Sequence, residues 1–126
     1  KNPDRETVTA LAREQQDSFS EIGATDLFQR RKGGWIPYLL DVRRAHEEQI
    51  SSIEGTDARI MHLEIPSRLE ELPTKNDIVV YCRSGQRSAA VARFLVDNGL
   101  TNGIVYNLVG GINAWSDEVD PATTKY

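Results

Sequence analysis

The chain has 126 residues, a length that suits one domain with one core. Its 39% hydrophobic and 27% charged content is ordinary for a soluble globular protein, and the formal net charge of −4 argues against nucleic acid as a main partner, since phosphate binding wants clustered Lys and Arg. No apolar run approaches the roughly 20 residues that cross a bilayer, and Lys1 to Glu6 lack the apolar stretch of a secretory signal, so no membrane role is expected.

In chain order, Lys1 to Ser20 is polar, with apolar residues only at Val8, Ala10, Leu11, Ala12 and Phe19. It reads as a linker or loosely docked segment, leaving residues 21–126 as the folded domain. A helix is expected from Thr25, with Thr25 as its cap and Gly33-Gly34 as its stop. The basic run Arg30-Arg31-Lys32 then falls in its last turn, where cations complement the helix dipole. Tyr38 to Val42 reads as a buried strand, Arg44 to Gln49 as a short polar helix, and Glu54-Gly55 as a turn. A short strand over Ala58 to Leu63 and a short helix over Pro66 to Leu72 follow. Asp77 to Tyr81 is the clearest strand, with Ile78, Val79 and Val80 between polar ends. It leads directly into Cys82-Arg83-Ser84-Gly85-Gln86-Arg87 and then a helix with Ala89, Ala90, Val91, Phe94 and Leu95 toward the core, stopped by Asn98-Gly99. Gly103 to Leu108 gives another strand, Gly110-Gly111 a tight turn, and Ile112 to Trp115 the start of a last helix in which Trp115 packs the core. Strands alternating with helices predict an α/β fold with a largely parallel sheet covered on both faces.

The chemistry is concentrated in one loop. In open α/β sheets ligands bind at the carboxyl ends of the strands, which is where Cys82 stands. Backbone N–H groups of the loop and the following helix N-terminus can cradle an anion and lower the thiol pKa, making Cys82 a thiolate nucleophile. Arg83 and Arg87 add fixed positive charge, and Gly85 supplies the backbone freedom a tight loop needs. Alone, a cysteine after a strand reads as a buried small hydrophobe. In this run of residues it reads as an active cysteine suited to a persulfide or an oxyanion. It is also the chain's only cysteine, which excludes an internal disulfide, disfavours a dithiol cycle and suits a reducing compartment, expected to be the cytoplasm.

Three blocks carry a family resemblance: Leu39-Leu40-Asp41-Val42-Arg43, Ile78 through Ala89, and Leu108-Val109-Gly110-Gly111-Ile112-Asn113-Ala114-Trp115. In this order they resemble the rhodanese sulfurtransferases, from about Ile22 to Trp115. The resemblance implies a rhodanese-like α/β fold: a central, mainly parallel five-stranded sheet flanked by helices on both faces. It implies that Cys82 accepts sulfane sulfur as a persulfide and passes it to a nucleophile, with no metal or organic cofactor. Catalysis is expected of Cys82 and Arg87, anion binding of Arg83, Ser84, Gly85, Gln86 and Ser88. Asp41 and Arg43 are expected to support the loop, Asp41 either by pairing with Arg87 or Arg83 or merely as a helix cap or surface ion pair. Arg43 leans to a surface position. His46 and His62 read as structural or solvated, and Glu47, Glu48, Glu70 and Glu71 as exposed helix faces. Loop length favours sulfur: the six residues from Cys82 to Arg87 match rhodanese loops, whereas the related dual-specificity phosphatases use one more. A cysteine phosphatase or arsenate-reductase-like enzyme and a non-catalytic interaction module are the alternatives. One departure touches the site border, where Ile60-Met61-His62 stands in place of the proline that many relatives carry.

The ending from Trp115 to Tyr126 resembles that of rhodanese domains fused behind ubiquitin-activating-like adenylyltransferases of molybdopterin, thiamine and thiolated-tRNA pathways. That resemblance implies a sulfur donor (thiosulfate or the persulfide of a cysteine desulfurase), a ubiquitin-like sulfur-carrier protein as acceptor, and an upstream adenylyltransferase domain in the same polypeptide. The start at Lys1 rather than methionine fits a processed chain or a piece of a longer one. A free-standing thiosulfate sulfurtransferase is the nearest alternative.

Overall fold

The computed structural model describes residues 18–126. Five strands, β1 (Ser20–Ile22), β2 (Tyr38–Asp41), β3 (Ala58–Arg59), β4 (Ile78–Tyr81) and β5 (Val105–Leu108), form one sheet in the order β1-β5-β4-β2-β3. All four pairings are parallel. Among the described residues four α-helices accompany them: α1 (Ala24–Lys32), α2 (Ala45–Ile50), α3 (Gln86–Asp97) and α4 (Gly111–Glu118).

The alternation of side chains along β4 divides the core in two. Ile78 and Val80 face a cluster with Leu40, Ile65, Val91, Ala92 and Leu95, which covers one side with α3. Val79 and Tyr81 face Ala24, Leu27, Leu39, Ile112 and Trp115, which covers the other with α1 and α4. All four residues of β4 are buried, as a central parallel strand requires. The Phe28 and Trp115 rings meet edge to face across the second layer.

Topology places the site. The chain leaves β2 outward to β3 and leaves β4 outward to β5, so the two connections diverge between neighbouring strands. Ligands bind in the crevice at such a point, beyond the carboxyl ends of the strands. The register pairs Asp41 with Tyr81, and the Val42 N–H donates to Tyr81 O, which brings Val42 and Arg43 alongside the start of the Cys82 loop.

Several sequence expectations change. Ser20 opens β1 and Phe19 packs partly buried against the core, so ordered structure includes residues assigned to the lead-in; Lys1 to Asp17 lie outside the described residues. Gly23, not Thr25, stands at the N-cap of α1, and the Thr25 hydroxyl instead donates to Glu118 at 2.9 Å. The strand expected to run to Leu63 ends at Arg59. Beyond it, short 3-10 turns span His62–Ser67 and Leu69–Glu71, with Pro66 inside the first rather than opening a helix. On α3 the buried stripe is Ser88, Val91, Ala92 and Leu95, and Ala90 faces solvent. Among the described residues no helix is long and apolar enough to cross a membrane.

Candidate active site

Cys82 follows the central strand and is 1% exposed. The chain turns at once, because Gly85 adopts φ +105° and caps the twelve-residue α3. A side chain there would be strained, and its Cβ would lie 3.3 Å from Gly110 N and 3.4 Å from Leu108 O. This turn folds the loop back over the sulfur. The Gly85 N–H donates to Cys82 Sγ at 3.1 Å and the Ser88 N–H at 3.4 Å, with Ser88 Oγ 3.3 Å from the same sulfur. Burial alone would push the thiol pKa up. The Ser88 hydroxyl and the amides of Ser88, Gly85 and Ser84 outweigh it and hold the thiol below its ordinary value.

A second turn locks this arrangement. Gly111, at φ +59°, lies against the loop so closely that a Cβ would sit 2.5 Å from Cys82 O and from the Arg83 carbonyl. Ile112 N–H donates to Cys82 O at 2.9 Å and Asn113 N–H to Arg83 O at 3.2 Å. The glycine pair that reads as a plain turn in sequence is therefore the base on which the cysteine loop rests.

Asn107, 4% exposed and absent from the sequence-based list, completes the sulfur's surroundings. Its Oδ1 accepts from the Ser88 hydroxyl at 2.5 Å and its Nδ2 donates to Gly85 O at 3.2 Å. Ser88 thus has one proton and two neighbours. With Cys82 protonated, the thiol donates to Ser88 and Ser88 to Asn107; with Cys82 ionised, the Ser88 hydroxyl can turn to the sulfur.

The charged residues form a separate arrangement beside the loop. Asp41 and Arg43 make a fully buried pair: Arg43 Nε and Nη2 donate to the two Asp41 oxygens at 2.9 and 2.8 Å. The expected pairing of Asp41 with Arg87 or Arg83, like the surface position for Arg43, is corrected. The two side chains, two residues apart at the end of a strand, satisfy each other. Burial opposes the Arg43 charge, but the hydrogen bonds to Asp41 and Tyr126 overcome it and raise its pKa. Glu47, expected on an exposed face, is 5% exposed instead. Its oxygens take both Nη atoms of Arg87 at 2.7 and 2.8 Å, the Arg44 N–H at 3.1 Å, and the Tyr126 hydroxyl. The bidentate Arg87, ahead of the opposing cost of burial, draws the Glu47 pKa far below the usual carboxylate range.

The remaining expected residues lie at the rim. Arg83, Ser84 and Gln86 are exposed, and Arg83 stacks over the Tyr126 ring with its Cζ 4.8 Å from the centroid. Where the proline was missing, Ile60 is buried, the Met61 sulfur accepts from Leu63 N, and Leu63 is 68% exposed. His62 is half-buried, and its Nδ1 has no hydrogen-bonding partner. Burial, then the positive charges of Arg87 and Arg44, hold its pKa down. Among the described residues no cluster of His, Cys, Asp and Glu is placed to hold a metal ion.

A buried, hydrogen-bonded cysteine at the carboxyl end of a parallel sheet, wrapped by a six-residue loop, defines a small-anion or sulfur-handling α/β domain. The comparisons make the class specific. The family model described as Rhodanese-like domain matches residues 24–118, and the chain belongs to that family. It is 39% identical over 97 residues to a protein of Allochromatium vinosum named Sulfurtransferase, covering 77% of this chain and 88% of that one. It is 34% identical over 94 residues to the Zea mays protein named Adenylyltransferase and sulfurtransferase MOCS3-2, covering 70% of this chain but 19% of that much longer one. A rhodanese-related protein of Thermoplasma volcanium superposes with a TM-score of 0.68 at 31% identity, covering 80% of this chain and 94% of that one. The domain is a rhodanese-type sulfurtransferase.

Proposed function

We propose that Cys82 carries sulfane sulfur as a persulfide and delivers it to the C-terminus of a ubiquitin-like sulfur carrier. The observation that carries this reading is the ring of donors around Sγ: the Gly85 and Ser88 amides and the Ser88 hydroxyl, all within 3.4 Å. These hold a negative sulfur in place without a metal. In loading, the Cys82 thiolate attacks the outer sulfur of thiosulfate, the S–S bond breaks, and sulfite leaves with the electron pair. A cysteine desulfurase persulfide would serve in the same way, its thiolate leaving. In delivery, the terminal sulfur attacks the adenylated carboxyl carbon of the carrier and AMP departs. A thiol from outside this domain then attacks the Cys82 sulfur of the resulting acyl disulfide, whose S–S bond breaks as the thiocarboxylate leaves, and a second thiol reduces the mixed disulfide and restores Cys82.

The geometry supports a division of roles. Cys82 is the nucleophile, Gly85 and Ser88 hold its charge, and Arg83, Ser84, Gln86 and Arg87 meet the anionic donor at the rim. Asp41 and Arg43 brace the loop from the neighbouring strand end. The likeness to the maize protein, which is named for both activities, supports the carrier as acceptor. On this reading residues 1–20 link the domain to an upstream adenylyltransferase, and the reduced thiol suits the cytoplasm. A free-standing sulfurtransferase is favoured instead by the match across most of the Allochromatium vinosum protein.

The test is direct. Thiosulfate should add one sulfur, about 32 Da, to the intact protein, removable by cyanide or a thiol, and Cys82→Ser should gain none. Labelled persulfide mixed with adenylated carrier should give labelled thiocarboxylate. Loading without any transfer to the carrier would favour the free-standing enzyme.

A further inference from the structure

Tyr126 lies outside the three blocks that carry the rhodanese resemblance, yet its side chain touches three charged residues of the site. It arrives there on its own anchors. After α4 the chain folds back as Asp120 N–H bonds Trp115 O and Thr123 N–H bonds Asp120 O. Thr123 is buried, the Ser51 hydroxyl donates to Thr124 O at 2.8 Å, and Lys125 pairs with Asp117 at 2.7 Å. The returning segment therefore presents Tyr126 to the loop from outside it.

The contacts divide between hydroxyl and ring. The hydroxyl donates to Glu47 Oε2 and accepts from Arg43 Nη1 at 3.0 Å, joining the two ion pairs. Arg43 has five side-chain N–H donors, and they go to the two Asp41 oxygens, Glu47 O, Ser51 O and Tyr126. Without the phenol, a buried donor loses its partner. Glu47 would likewise lose one of the donors that share its charge with Arg87. The ring, in turn, is the platform for the Arg83 guanidinium. Arg83 and Arg87 are the two cations of the Cys82 loop, and Arg87 lies close enough to Cys82 to feel its charge.

We infer that Tyr126 is a positioning residue: through Glu47 and through its ring it fixes Arg87 and Arg83, and so sets how strongly the site attracts an anionic sulfur donor. This rests on the sulfurtransfer reading above. The Tyr126 hydroxyl bonds to Glu47 and Arg43 and not to the groups around Sγ, so the inference separates anion attraction from thiolate formation.

The test compares two alkylating probes of Cys82, neutral iodoacetamide and anionic iodoacetate, in the wild type, Tyr126→Phe and Tyr126→Leu. Phe keeps the ring under Arg83 and removes the hydroxyl; Leu removes both. The iodoacetate-to-iodoacetamide rate ratio should fall roughly three-fold in Tyr126→Phe and further in Tyr126→Leu, as loop cations lose their places. The iodoacetamide rate-versus-pH curve should keep its midpoint, which a general loosening of the fold would move. Arg83→Gln, made in the chain with Tyr126 intact, reads the ring arm even if a Tyr126 variant fails to fold, and it should also lower the ratio. An unchanged ratio in folded Tyr126→Leu, or in Arg83→Gln, overturns the inference, as does a midpoint that shifts along with the ratio. Alkylation needs no sulfur donor, so a protein that fails to load sulfur would refute the proposed function and still leave this test readable.

Discussion

The Cys82 loop and the charged arrangement next to it handle negative charge in opposite ways. Around the sulfur, the donors are neutral: two amides, one hydroxyl and the start of a helix. Beside it, each carboxylate meets an arginine, Asp41 with Arg43 and Glu47 with Arg87. The chain has arginines within reach of its cysteine, yet the groups that lower the Cys82 pKa are hydrogen bonds from the loop. An arginine in direct contact would stabilise the thiolate further and so lower its nucleophilicity toward the sulfur donor. Dipoles hold the charge and let it go. Arg43 and Arg87 are committed to carboxylates, where they fix the shape of the loop's surroundings, and with Arg83 on the Tyr126 ring they leave a modest field at the rim.

The largest effect expected from breaking this division lies on the charged side. Arg43→Met keeps side-chain bulk but leaves Asp41 buried without its cation, a loss of about 3–5 kcal/mol. Urea unfolding should show this as a lower midpoint. If the variant is as stable as wild type, the pair is a passenger rather than the brace of the β2 end.

Glu47 should add a smaller, pH-dependent part. Its folded pKa is depressed, chiefly by Arg87, so its contribution is fully present above the unfolded value of about 4.3 and is lost as pH falls toward the folded one. Thermal melts of wild type should therefore decline below about pH 4.3 more steeply than those of Glu47→Gln. Parallel curves would mean that Glu47 is not held ionised by Arg87.

On the sulfur side, Ser88→Ala removes one donor to the thiolate and should raise the Cys82 pKa by about one unit, read from iodoacetamide rate against pH. Asn107→Ala should move it less, because Asn107 acts on the sulfur only through Ser88 and Gly85. Equal shifts from the two would mean that the pair works as one unit.

How much of this was legible in the sequence depends on distance along the chain. The loop, β4 and α3 are contiguous, so a buried apolar run, a cysteine, a glycine and a periodic helix announce one another. Strand β1 has only three residues and one buried side chain, Ile22; its strand state comes from pairing with β5, more than eighty residues on. The Asp41–Arg43 pair had a usable signal, since opposite charges two apart on an extended segment share a face. Glu47 had one as well: it stands three residues after the Arg44 N-cap, where a glutamate reaches back to the cap N–H. That pattern marks a helix start, though, and says nothing of Arg87, forty residues away. Tyr126 lacked any local signal, because its partners Glu47 and Arg43 lie 79 and 83 residues away.

The smallest expected effect tests the comparison most sharply. From sequence, Arg87 reads as a cation that stabilises both the Cys82 thiolate and the incoming anion, so its removal should raise the thiol pKa and slow sulfur loading tenfold or more. The geometry gives it a different part. Each Nη atom gives an N–H to Glu47, whose charge offsets part of the field that Arg87 projects, and the sulfur already has its own donors. Arg87→Gln can still donate to Glu47, which limits the structural damage. Its iodoacetamide pH midpoint should therefore move by less than half of the Ser88→Ala shift, roughly 0.5 unit or under. Thiosulfate is a dianion and feels even a modest field, so KM for it should rise a few-fold with kcat nearly kept. A large midpoint shift in Arg87→Gln would show that the cation, not the amide ring, holds the thiolate, and the contrast between the two regions would fall with it.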